Sequence, residues 1–215
     1  MGMHYGFVAV PATVDQLVSA FAVIWPKYEP TGRATLSSMD GYLAWKKENE
    51  RFVSARDWTP DDPGIEVYGF VQDRKWAVLL DASYVLASDK EALAKLSASF
   101  GICVSFIIET AGGSASFMSF GQGRLVRSID SVDATVTTAG DPIPEEAGLH
   151  VDRYYMVEAE ELQRRLGFRF LSDSPPTEVT AIATFDRTDY TALLKQQQVA
   201  RVAPVPRKKP WWRLW

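Results

Sequence analysis

Cysteine is almost missing from this chain. Cys103 stands alone, so no disulfide can close within it, and a reducing, cytoplasmic compartment is the expectation. Histidine is nearly as scarce. His4 and His150 lie far apart, with no Cys-x-x-Cys, His-x-x-x-His or His-Glu-x-x-His spacing around them. That argues against a zinc site and leaves no cofactor to expect. Long apolar runs are missing too. The longest, residues 102–108, is strand-sized, far short of the ~20 residues of a membrane-spanning helix. The opening Met1-Gly2-Met3-His4-Tyr5-Gly6 has no basic stretch leading into an apolar one, so no secretory signal is expected. Gly6 stands where a myristoylation signal needs Ser or Thr.

Acid is absent from residues 201–215, which hold Arg207, Lys208, Lys209, Trp211, Trp212, Arg213 and Trp215. Five of the 23 Lys/Arg fall in that segment, leaving 18 against 27 Asp/Glu in residues 1–200, a net charge of −9. An acidic body thus carries a basic tail rich in tryptophan. At 47% apolar and 12% aromatic the chain is too hydrophobic to stay disordered. The composition shift near residue 200 divides it into one domain, 1–200, and a tail, 201–215.

Apolar spacing sets the elements. Residues 5–10 read as a buried strand. Thr13 and Gln16 form a capping box ahead of Val14, Leu17, Val18, Phe21 and Ile24 at helical spacing. Residues 29–39 read as loop, and 40–52 as a helix with Trp45 and Phe52 turned to the core. Strands over 66–72 and 76–81 are joined across Asp73-Arg74-Lys75 as a hairpin. Ser88 and Glu91 make a second capping box, followed by the stripe Leu93, Leu96, Phe100 and a stop at Gly101. Strand-like runs at 102–109, 115–120, 124–129 and 134–138 follow, with glycines separating the first three. Links so short require antiparallel neighbours. A helix over 157–166, a strand over 178–185 and a helix from Thr188 to about residue 199 complete the body. The fold class is α+β: a mainly antiparallel sheet with helices packed on a face, plus an extended C-terminal tail.

Few patterns carry chemistry. Gly112-Gly113-Ser114-Ala115-Ser116 begins like a nucleophile elbow, but its fifth residue is not glycine and a strand follows it. Gly121-Gln122-Gly123-Arg124 lacks the Lys-Ser/Thr of a phosphate loop. Cys103 sits between Ile102 and Val104 and reads as a small buried hydrophobe. Carboxylates are the one pattern an enzyme could use, as Asp61-Asp62 and Glu145-Glu146 are adjacent pairs. Together with Asp57 they read as an acidic surface. Such a body repels phosphate and argues against nucleic acid. It favours a basic protein partner. Four tail cations at about 1 kcal/mol each would give only roughly millimolar attachment to an anionic membrane, to which the three indoles would add. Pro204, Pro206 and Pro210 oppose an amphipathic helix there.

One resemblance rests on Trp76-Ala77-Val78-Leu79-Leu80-Asp81, on residues 88–100 ending at Gly101, on Phe117-Met118-Ser119-Phe120-Gly121-Gln122-Gly123-Arg124-Leu125-Val126-Arg127, and on Gly140-Asp141-Pro142-Ile143-Pro144-Glu145-Glu146. Over about residues 65–170 this layout resembles uncharacterised bacterial α+β domains of the immunity-protein type. The resemblance implies a binding role and carries over no catalytic residue. The expectation is a non-enzymatic interaction protein that meets a protein partner through its acidic surface. One alternative is a protein docked peripherally at the inner membrane, or in an assembly, through residues 207–215. The other is a hydrolase or transferase that uses carboxylates in a cleft.

Overall fold

Side chains alternate across a strand, so a strand that is apolar at every position must be covered on both faces. Residues 7–10 and 76–80 are such runs. A computed structural model describes residues 4–53, 59, 64–169 and 176–187. Within them the chain runs β1 (His4–Val10), α1 (Val14–Ile24), β2 (Tyr28–Leu36), α2 (Met39–Asn49), β3 (Glu66–Asp73), β4 (Trp76–Leu80), α3 (Lys90–Phe100), β5 (Ile102–Glu109), β6 (Ser114–Gly121), β7 (Arg124–Val132), β8 (Thr135–Ala139), α4 (Met156–Leu166) and β9 (Val179–Asp186).

The strands form one antiparallel sheet in the order β2-β9-β3-β4-β1-β5-β6-β7-β8. Phe7 and Ala9 of β1 turn to one face, where Tyr42 of α2 and Ala159, Leu162 and Leu166 of α4 cover the sheet. Val8 and Val10 turn to the other, against Leu17 and Phe21 of α1 and Leu93 and Leu96 of α3. The α+β class read from the sequence holds, with helices on each face of the sheet. The meander β5-β6-β7-β8 forms as the short glycine links require.

Three local readings change. Residues 28–36 are not loop but an edge strand. β2 pairs only with β9, and its register shifts between Pro30 and Gly32. An edge tolerates proline because no second neighbour needs its missing N–H. The cap of α3 is Asp89, whose side chain accepts from Ala92 N at 3.1 Å, while Ser88 Oγ donates to Val85 O. Phe52 is not a core residue: it is 90% exposed, because α2 ends at Asn49 and the chain is extended by then. The helix expected from Thr188 lies outside the described residues.

Glu146 departs from the expected acidic surface. The turn through Gly140 folds Pro144–Glu146 into a single 3-10 turn against β7 and sets Glu146 on Arg127. The pair is bidentate, Nε to Oε1 at 2.9 Å and Nη2 to Oε2 at 2.8 Å, with both side chains about 5% exposed or less. Arg127 Nη1 also donates to Gly140 O, and Ile143 N donates to Glu146 Oε1. Gly140 has φ +76°, and a Cβ there would lie 1.9 Å from Val126 O. The ion pair therefore fastens the meander to the segment that leads to α4.

Removing one partner of such a pair strands a buried charge, at a cost of about 3–5 kcal/mol. Arg127→Ala should lower unfolding stability by that amount in urea titrations. The double change Arg127→Met with Glu146→Leu should recover most of it. An equally large loss in the double variant would show that the pair acts through shape and not charge.

Candidate functional site

β4 is shorter than both strands beside it. It has five residues, between eight in β3 and seven in β1. Leu80, its last residue, pairs with Gly69 on one side and Phe7 on the other. Beyond that rung β3 continues through Tyr68, Val67 and Glu66, and β1 through Gly6, Tyr5 and His4. The sheet therefore has a notch about 10 Å wide, two strand spacings.

Asp81 makes the notch. Its backbone N–H still bonds Gly6 O at 2.8 Å. Its fully buried carboxylate then turns the chain out of the sheet, accepting from Ser83 N, Ser83 Oγ, Leu86 N and Ala87 N at 2.7–3.2 Å. The carbonyl of Val67 loses the N–H that a longer β4 would offer. Side chains of α2 take its place: the Tyr42 hydroxyl donates to it at 3.4 Å and the Lys46 ammonium at 3.3 Å. Tyr42 comes this close because β3 has glycine at 69, where a Cβ would sit 2.9 Å from the Tyr42 ring.

Two adjoining cavities open at the notch. One, about 300 Å³, lies on the β1 side against Tyr5, Met39, Tyr42 and Leu43. The other, about 420 Å³, lies on the β3 side against Glu50, Phe52, Glu66 and Tyr68. Lys46 and Ala82 line both, so the two lie side by side along α2 as the two halves of a groove. Leu43 and Phe52 on its walls are 54% and 90% exposed. Lys46 is paired with Glu50, so its charge is already met within the site.

The polar end of the groove carries the perturbed groups. Burial is the main cause that lifts the Glu66 carboxyl above its ordinary 4.5; Asp81 and Asp186 push the same way, and the hydrogen bond from Tyr68 and the charge of Lys27 oppose it. Burial likewise raises the Tyr68 hydroxyl, with Glu66 adding to it. The arrangement offers carboxylates, a donor and apolar walls. It suits recognition of a cation joined to an apolar group. Among the described residues no group of three His, Cys, Asp or Glu is placed to hold a metal. A separate cavity of about 340 Å³ lies by the β7–β8 turn, lined by Gly113, Ser131, Asp133, Arg153 and Tyr154 among others. The Tyr154 hydroxyl is buried with no hydrogen-bond partner among the described residues.

Of the residues singled out from sequence, Glu146 is in the buried ion pair and Glu145 is partly buried, its carbonyl accepting from Arg165 at 3.1 Å. Asp57, Asp61, Asp62, Arg207, Lys208, Lys209, Trp211, Trp212, Arg213 and Trp215 lie outside the described residues. Sequence reasoning passed over Leu43, Lys46, Glu50, Glu66 and Asp81. The only local signal was the Tyr42, Lys46, Glu50 spacing, which puts the three on one side of α2.

A raised carboxyl means that the folded chain keeps its proton to higher pH than the unfolded one. The stability Glu66 contributes is thus full below its ordinary value and is lost as pH rises through the elevated folded value. Glu66→Gln should flatten that fall: denaturant titrations from about pH 4 to pH 7 should show the variant gaining on the parent as pH rises. Parallel curves would mean that burial does not raise the Glu66 carboxyl.

Asp81→Ala leaves two buried N–H groups without acceptors and should cost about 3 kcal/mol or more, read as an earlier urea midpoint. No change would remove Asp81 as the cause of the notch.

No family model, curated protein or solved structure matches this chain.

Proposed function

We propose that this chain is a non-enzymatic binding protein that takes a basic, aromatic-containing segment of a protein partner into the notch. The observation that carries the reading is the groove itself: exposed Phe52 and Leu43 on its walls beside the Glu66 carboxylate, with Glu50 shared with Lys46. An exposed phenylalanine beside carboxylates suits an arginine or lysine next to an aromatic ring, through apolar contact and cation–π attraction together. The −9 charge of residues 1–200 supports it, since an acidic body draws a basic partner and speeds the encounter. An immunity-type role, in which the partner is a toxin, is one form this reading takes. No helix among the described residues is long and apolar enough to cross a membrane; attachment to a membrane surface would rest on residues 207–215.

Panning a random peptide display library on the full chain tests the reading. Enriched peptides should pair Lys or Arg with aromatic residues. Phe52→Asp and Glu50→Lys, both at exposed positions, should each weaken them about tenfold, and added salt should weaken them further. Enrichment without a basic excess, or binding that ignores both substitutions, would overturn it.

A further inference from the structure

The chain's own residues 207–215 have the composition the groove suits. We infer that this segment docks in the notch of the same chain and competes there with the partner, an inference that rests on the function proposed above. Three observations carry it.

The first is where the described chain ends. β9 runs beside β3 with Thr184 opposite Glu66. It therefore finishes at the notch end of the sheet, one strand from the groove. Arg187 is fixed there, its N–H bonded to Lys27 O at 2.8 Å and its guanidinium paired with Glu29.

The second is reach. About twenty residues separate Arg187 from Arg207. Extended, they span roughly 65 Å; as a coil, about 25 Å. The β3 edge of the groove lies one strand spacing, about 5 Å, to the side of β9, and Arg187 stands three residues past the Thr184–Glu66 rung, about 10 Å along the strand, so either length reaches it. A tether of this length gives an effective concentration on the order of millimolar, so even weak docking would be well populated.

The third is complementarity. Residues 201–215 hold five cations, three tryptophans and no acid. The groove presents the Glu66 carboxylate beside Phe52 and Leu43, with Glu50 and Lys46 paired to each other at its rim. An indole is costly to leave in water, and Phe52 and Leu43 offer it exposed apolar surface.

The test uses the full chain with the photoreactive residue p-benzoylphenylalanine in place of Leu43. Irradiation should join position 43 to residues 207–215 within one molecule, in a yield independent of protein concentration. Charge reversal by Arg207→Glu, Lys208→Glu and Lys209→Glu should abolish it. In the full chain with leucine at 43, replacing Trp211, Trp212 and Trp215 with alanine should raise affinity for the basic aromatic peptides enriched by panning about tenfold. Crosslinks between chains would assign the groove to a second copy's tail and overturn the inference, as would crosslinks that avoid 201–215. Unchanged peptide affinity in the tryptophan variant would overturn the competition. If peptide binding is lost in Phe52→Asp yet no intramolecular crosslink forms, this inference fails and the binding function stands. If crosslinks form but no basic peptide is enriched even on the tryptophan variant, tail docking stands and the partner reading fails.

Discussion

One buried carboxylate shapes the centre of this molecule. Asp81 satisfies the hydrogen-bond donors of Ser83, Leu86 and Ala87, and in doing so it carries the chain out of the sheet after Leu80. Everything around the notch follows. β3 and β1 are left to run on past β4. The Val67 carbonyl has to find its donors in α2, and those donors, Tyr42 and Lys46, fix the helix over the gap. A carboxylate can do this because bonds to an ionised acceptor are about twice as strong as neutral ones. Four in one place outweigh the cost of ending a strand early.

Charge is handled in two ways. Arg127 and Glu146 are buried as a bidentate pair, which is tolerable because the guanidinium fork matches the carboxylate and Gly140 O and Ile143 N each add a bond. Glu66 is only partly covered, lies near the like charges of Asp81 and Asp186, and is held above its ordinary pKa. The first arrangement fastens the fold. The second disfavours the ionised form, which a cation from outside would stabilise, so proton release is linked to binding of a basic group. That asymmetry is what makes the groove, and not the ion pair, the place to look for a ligand.

Apolar walls beside a partly buried carboxyl and a tyrosine hydroxyl give the groove the chemistry on which the proposed binding role rests. Recognition also fits the way the groove is built. Its walls come from a helix and a sheet, which hold Tyr42 and Val67 in place, while Phe52 stands on extended backbone just beyond α2, free to pack on what arrives.

The sequence by itself determined the class and the local elements. Capping at Thr13, the stripe Leu93–Leu96, the stop at Gly101 and the short glycine links of the meander all act between residues a few positions apart, so they can be read from spacing. Tertiary structure decided the rest. β2 looks like loop because Pro30 and Gly32 suit a strand only at an edge, and only the sheet says which strand is at the edge. β9 enters between β2 and β3 more than a hundred residues after β2, a choice no local pattern records. Glu146 reads as surface because the arginine that buries it lies across a turn on another strand. Lys46, Glu66 and Asp81 become one site only because a strand between two longer neighbours stops at Leu80, and what determines that is a carboxylate meeting backbone donors in three dimensions.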